Sequence, residues 1–198
     1  MSIKNEMNVL HFVTSNKHKF NEIQKLFKNE NLKYELNQLE IETTEIQANT
    51  IKEVAKFKLN SIKEQIDGSY FIEYAGFFID TPLNGFPGVY SSYVMKTLGN
   101  KGILKLIDDF EMSQAHFISI IALYFQPLEK SLFFEGITYG KVSSSIRGSG
   151  GFGFDPIFIP NVLPSKTFAE LTTEEKNKIS HRGKAWNKFI NFLRETSY

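Results

Sequence analysis

Apolar positions along the chain follow two periods, and the switch between them marks out the first half. "VLHFV" (9–13) is a short apolar run of strand type, "TSNK" a turn, and "KFNEIQKLFKNE" (19–30) places Phe20, Ile23, Leu26 and Phe27 on one helical face. "KYELNQLEI" predicts a second strand. "TIKEVAKFKLNSIKEQI" (50–66) predicts a second helix, with Ile51, Val54, Ala55, Phe57, Leu59 and Ile62 mostly on one side. "YFIE" and "FFI" predict two short strands separated by a small-residue break. After the tight connection signalled by Gly85, Pro87 and Gly88, "KTLGNKGILKLIDDF" (96–110) resumes helical spacing after the "GN" punctuation. "AHFISIIALYF" and "SLFFEGITYGKVS" have the β-branched and aromatic density of two strands turning at Gln126 and Pro127. A short "IFI" strand follows, then helices over "TTEEKNKIS" and "GKAWNKFINFLRE", the first opened by a Thr172–Glu175 capping box.

Helices and strands alternate early while the middle is strand-rich. The expectation is an α/β fold with an elongated mixed sheet flanked by helices and arranged as two lobes. No repeat or composition break divides residues 1–198, so a single domain is expected.

Composition narrows the class of function. With 41% hydrophobic residues among 198 there is enough apolar surface for a sizeable core. A net charge of +1 provides no long-range field for nucleic acid or an acidic membrane. The chain has no cysteine, which removes thiolate chemistry and suits a reducing compartment. The opening "MSIKNEMNVLHFV" has no apolar signal region, and no run reaches the ~20 residues that would span a bilayer. We expect a cytoplasmic protein without membrane or nucleic-acid partners.

Four segments carry candidate chemistry. In "VTSNKHK" a strand gives way to a helix: Thr14, Ser15 and Asn16 offer hydrogen bonds, free amides face outward, and Lys17 or Lys19 supplies charge, as an anion site requires. The plainer alternative makes Asn16 a helix cap and the lysines solvated. In "RGSGGFGFDP" the glycines satisfy G-x-G-x-x-G, but Pro156 and Pro160 deny the helix a dinucleotide site needs. What remains is a flexible backbone presenting Phe152 and Phe154 beside Asp155, suited to stacking a heterocycle and reading its edge. The alternative is a glycine hairpin whose phenylalanines fill the core. In "EEKNKISHRGK", Lys176, His181 and Arg182 suit an anion or a purine carbonyl, or form a charged surface helix. Glu45, Glu73, Asp80 and Asp155 sit at strand ends and loops, where magnesium ligands are found; Asp108, Asp109 and Glu111 look like a helix terminus in water. His11 and His116 lie in apolar strands and read as structural, and no zinc spacing or nucleophile elbow occurs.

In order along the chain, "TSNKHK", "EIQ", "LNGFPGVYSSYV", "GGFGFDPIFIP" and "KTFAELTTEEKNKISHRGKA" resemble the inosine triphosphate pyrophosphatase family, the XTP/dITP diphosphatases, most of all its archaeal-type members. The likeness runs from about Val9 to the last helix. It implies Mg²⁺-dependent hydrolysis of inosine, deoxyinosine and xanthosine triphosphates between the α and β phosphorus, in a homodimer with a cleft between two lobes. Carried over by position, Thr14, Ser15, Asn16, Lys17, His18 and Lys19 form the phosphate loop, and Phe152, Gly153, Phe154 and Asp155 stack and read the base with Lys176, His181 and Arg182. Glu45 falls on a metal ligand. The family has an acidic pair followed by serine and glycine where this chain has Glu73, Tyr74, Ala75 and Gly76. Glu73, Tyr74 and Lys19 thus occupy catalytic positions, Glu45, Glu73 and Tyr74 metal positions, and Ala75 a substrate position whose hydroxyl is missing.

A phenol, with a pKa near 10, is neutral at working pH, a poor base and a poor magnesium ligand. Three explanations stand: a natural member that binds without cleaving well, an introduced replacement, or a metal held jointly by Glu73 and Asp80. Packing of the Tyr74 ring beneath the strand is compatible with either of the first two, since strands favour tyrosine.

Overall fold

The computed structural model describes residues 8–28, 30, 32–108 and 113–196. The start of the chain, Asp109 and Glu111 lie outside the described residues.

The element order is β1 (Asn8–Val13), α1 (Lys17–Lys28), β2 (Tyr34–Leu39), α2 (Ile51–Asn60), β3 (Ser69–Thr81), β4 (Phe86–Gly88), α3 (Ser91–Thr97), α4 (Gly99–Leu106), β5 (Gln114–Phe125), β6 (Lys130–Val142), β7 (Phe158–Pro160), α5 (Thr173–Ile179) and α6 (His181–Glu195). The strands form one mixed sheet in the order β2-β1-β3-β5-β6-β7, with β4 added beside β3. β1 runs parallel to β2 and β3, and the remaining pairs are antiparallel. This is the mixed α/β sheet that the alternating periods predict.

The expected break between "YFIE" and "FFI" does not occur. β3 is continuous because β5 pairs with it from Tyr70 to Ile79, Tyr74 and Ala75 facing Ile120 and Ser119. Gly76 is small for another reason: a Cβ there would stand 2.6 Å from Ile51 Cδ1 and 2.7 Å from the Gly88 carbonyl. The second predicted helix ends at Asn60, followed by a 3₁₀ turn over Lys63–Gln65; the helical spacing expected after the "GN" punctuation is α4, which opens at Gly99 (φ +62°), with the short α3 before it.

Alternation along β3 sends its side chains to two cores. On one face Phe71 joins Leu10, Phe12, Ile121 and Leu123 under Trp186 and Phe189 of α6, with Phe20 and Leu26 of α1 at the margin. On the other, Ile72 and Tyr74 join Ile120 and Ala122 under Val54, Ala55 and Leu59 of α2. A third cluster around Phe77, Phe117, Phe158 and Phe168 fills the far end. α2 is held at its start by a full capping box between Thr50 and Glu53.

Two topological facts place the site. β1 lies between β2 and β3, so the connections that follow β1 and β2 depart to opposite sides of it; the crevice beyond its carboxyl end is where α/β sheets receive ligands. In addition, β1 pairs with β3 only as far as Phe71 and ends at Val13, while β3 runs on to Thr81. The edge of β3 from Glu73 to Gly76, between the parts paired with β1 and β4, therefore opens toward that crevice.

Candidate active site

A cavity of about 570 Å³ occupies the crevice. One wall is the β1–α1 turn, with Thr14, Ser15, Asn16 and Lys19; the floor is Glu73, Tyr74, Ala75 and Gly76 of β3; the far wall is Phe152, Gly153, Phe154 and Asp155 with His181 and Arg182. Glu45 and Lys58 line it from the α2 side. Of the residues singled out in the sequence, Lys17 and His18 are exposed at the start of α1 and Lys176 is buried behind Asp155; these three do not line the cavity.

At the β1–α1 turn the capping alternative and the anion-site alternative coexist. Asn16 Oδ1 accepts from the Lys19 amide at 3.1 Å and Thr14 Oγ1 from the Asn16 amide at 3.2 Å. The amides of Lys17 and His18 have no carbonyl one helical turn behind them, so this end of α1 keeps its donors for a ligand.

Lys19 reaches across to the open edge of β3. Its Nζ donates to the Glu73 carbonyl at 3.2 Å and stands 2.6 Å from Glu73 Oε2 as an ion pair, off the line of a good hydrogen bond to that oxygen. Glu73 Oε1 accepts from Ser119 Oγ at 2.6 Å and from Arg182 Nε at 3.2 Å. Burial alone would raise the Glu73 carboxyl, but Arg182, Lys19 and the Ser119 hydroxyl together hold it well below the usual carboxylate range. Burial lowers the Lys19 ammonium, only partly offset by Glu73.

The far wall is an ionic framework under an aromatic ring. Arg182 Nη1 donates to Glu22 at 2.7 Å, and Lys176 Nζ donates to Asp155 at 2.7 Å and to Glu22 at 3.2 Å. Arg182 and Lys176 lie 5.1 and 5.0 Å from the centre of the Phe152 ring, within cation–π range. Asp155 Oδ2 also accepts from the Phe152 amide at 2.8 Å. Gly151 is required here: at φ +67° a Cβ would fall 2.1 Å from that oxygen.

Several expectations change. Phe154 is not a free platform; it is buried against Phe77 in the core, because the turn at Gly153 sends consecutive phenylalanines to different environments. Of the described aromatic residues that line the cavity, Phe152 is the one that is not buried, with His18 stacked 5.6 Å away. Lys176 does not line the cavity, and Arg182 lines it with its charge shared by the Glu22 and Glu73 carboxylates. His181 is neutral: burial, then Arg182 and Lys176, push it well below its ordinary value. It stacks on Phe117 at 4.5 Å and keeps a buried Nδ1 without a partner.

Asp80 cannot share a metal with Glu73. The two are separated by about 23 Å of extended strand at ~3.3 Å per residue, and Asp80 pairs instead with His116 at 2.8 Å. Glu22, Lys58 and Ser119 were missed. Ser119 had a signal, a hydroxyl inside the apolar run "FISIIALYF"; Glu22 and Lys58 read as solvated helix positions.

Tyr74 resolves into a specific arrangement. Its hydroxyl donates to the Val89 carbonyl at 2.9 Å and meets Glu45 Oε2 at 3.4 Å, while its ring lies 5.6 Å from Lys58 Nζ. Lys58 in turn binds Glu45 Oε1 at 2.5 Å. Burial, then Glu45, push the phenol above its ordinary value, so it keeps its proton. Magnesium needs several oxygens in near-octahedral array. Of the residues expected to hold it, Tyr74 is a protonated donor, Glu73 is consumed by two cations and a hydroxyl, and Glu45 is occupied by Lys58 and Tyr74. No cluster of three or more metal-ligating side chains occurs among the described residues. These side chains do not fit a resident Mg²⁺.

A family model described as the Ham1 family matches residues 10–192. A protein of Thermococcus kodakarensis named dITP/XTP pyrophosphatase is 49% identical over 94% of this chain and 97% of its own length. One of the same name from Pyrococcus horikoshii is 44% identical over 92% and 95%. Among solved structures, a HAM1 protein from Coxiella burnetii superposes with a TM-score of 0.81 at 30% identity, covering 96% of this chain and 100% of that one. No described helix is long and apolar enough to cross a membrane.

Proposed function

The chain belongs to the Ham1 family, and from that premise we propose that it hydrolyses non-canonical purine nucleoside triphosphates of the dITP and XTP class to monophosphate and pyrophosphate, at a rate held down by Tyr74. The names of its archaeal relatives support the substrate class. The observation that carries the reading is that one cavity joins the start of α1 to the Phe152 ring. Thr14, Ser15, Asn16 and the amides opening α1 hold the phosphate tail, with the Lys19 ammonium beside it. The purine stacks on Phe152, where the exposed His18 ring gives way to it. His181, neutral and with an unpartnered buried nitrogen, meets the base edge, and a base that leaves such a group unpaired is disfavoured.

Hydrolysis needs water at the α phosphorus and a group to take its proton. The Tyr74 hydroxyl keeps its proton, donates it in a hydrogen bond to the Val89 carbonyl and is no base; Glu45, the carboxylate beside that hydroxyl, is held by Lys58. A missing general base costs about 10²–10⁴ in rate. The same arrangement favours a second reading, binding without turnover. Homodimeric assembly and a cytoplasmic setting belong to the proposal.

The test is pyrophosphate release from dITP, XTP, dATP and dGTP, with and without MgCl₂, by the chain and by Tyr74→Asp. Slow release confined to dITP and XTP, raised about 10²–10⁴-fold in the variant, is the expected result. Release by the variant alone selects the second reading. Equal rates on dATP, or no release by either protein, overturns the proposal.

A further inference from the structure

The cavity's charges point to a property that the proposed activity does not imply. Around it stand Lys19, Lys58, Lys96 and Arg182 with Lys176 behind, against Glu22, Glu45, Glu73 and Asp155, while His181 is neutral. Five cations face four carboxylates, an excess of one positive charge. An aspartate at position 74 would cancel that excess and add a free carboxylate beside Glu45. With Tyr74 there, the surplus remains for a polyanion, and no free carboxylate remains for a metal.

Glu45 is closed from two sides. Lys58 Nζ holds one oxygen at 2.5 Å, and the Tyr74 hydroxyl stands 3.4 Å from the other, fixed there by its bond to the Val89 carbonyl. The Tyr74 ring also lies beside the Lys58 ammonium, so the three side chains form one packed unit. A cation entering between Glu45 and Glu73 would have to displace Lys58 from Glu45 and either Lys19 or Arg182 from Glu73, breaking ion pairs that are partly or wholly out of water.

We infer that this chain binds its nucleoside triphosphate independently of divalent cations, because Tyr74 and Lys58 close Glu45 against a metal. The inference rests on the nucleotide reading above. It concerns how the phosphate tail is neutralised: by lysine ammonium groups already in the protein, with no coordination by its carboxylates.

The experiment is calorimetric titration with the α,β-imido analogue of dITP, which cannot be cleaved at the α–β bridge, in EDTA and in MgCl₂, on the full chain and on Tyr74→Asp. The expected dissociation constants for the full chain agree within about threefold between the two buffers, whereas Mg²⁺ tightens binding by about tenfold or more in Tyr74→Asp. Binding by the full chain that is tenfold or more tighter in MgCl₂ overturns the inference and leaves the nucleotide reading standing. If the full chain gives no heat with the analogue in either buffer, the nucleotide reading itself fails, and the inference falls with it.

Discussion

Replacing Glu73 with glutamine tests whether the ionic core of the site is structural. The side chain is wholly buried, and its two oxygens serve Lys19, Arg182 and Ser119. Glutamine keeps the shape and an acceptor for Ser119 but removes the counter-charge from two cations. Arg182 retains Glu22 at 2.7 Å, and Lys19 retains the Glu73 carbonyl and some access to water. Breaking a buried pair by removing one partner costs about 3–5 kcal/mol, and these residual partners bring the expectation to the low end, about 3 kcal/mol. For a chain of this size that is a fall in Tm of roughly 6–12 °C.

The pH dependence has a definite sign. The folded carboxyl is held below its unfolded value, so its contribution is complete above the ordinary carboxylate range and is lost as pH falls through the depressed folded value. Urea unfolding of parent and Glu73→Gln should therefore show a constant gap from neutral pH down to about pH 5, narrowing below it. Pyrophosphate added as an anion should restabilise the variant more than the parent, since Lys19 is then unpaired. A gap under about 1 kcal/mol at pH 7, the value of an exposed pair, would refute the reasoning.

Phe152→Ala removes the ring on which the base is proposed to stack. At about 1–3 kcal/mol per stacked base, KM for dITP should rise about tenfold or more with a smaller change in kcat, measured by pyrophosphate release; an unchanged KM would put the purine elsewhere. Gly136→Ala would place a Cβ 2.1 Å from the His181 carbonyl and 2.5 Å from the Ala185 amide. The start of α6, which carries His181 and Arg182, then has to lift off β6, and thermal melts should show a loss of about 1–3 kcal/mol; an unchanged Tm would mean that this close approach carries no weight.

The early strand–helix alternation was legible because each element buries one face, and the 2.0 and 3.6 periods report that directly. The continuity of β3 was not. Ala75 and Gly76 read locally as a break, while the deciding interaction is the register with β5, more than forty residues away. The same division holds at the site. The Thr14–Lys19 turn and the glycine-rich 148–155 segment announce themselves by residue type, yet the separate fates of Phe152 and Phe154 depend on the packing of Phe154 against Phe77. The occupation of Lys176 and Arg182 by Glu22 joins α1 to α5 and α6 across some 150 residues, and no local pattern signals it. Tyr74 stood out chemically in the sequence; where its proton goes depends on Val89, which only the fold brings near.

The central claim is that one groove holds both ends of a purine triphosphate. A crystal structure with the uncleavable dITP analogue tests it most directly. The account predicts the phosphates against Thr14–Lys19 and the purine against Phe152, with Tyr74 still bonded to Val89. A purine bound away from Phe152, or phosphates outside the β1–α1 turn, would contradict it.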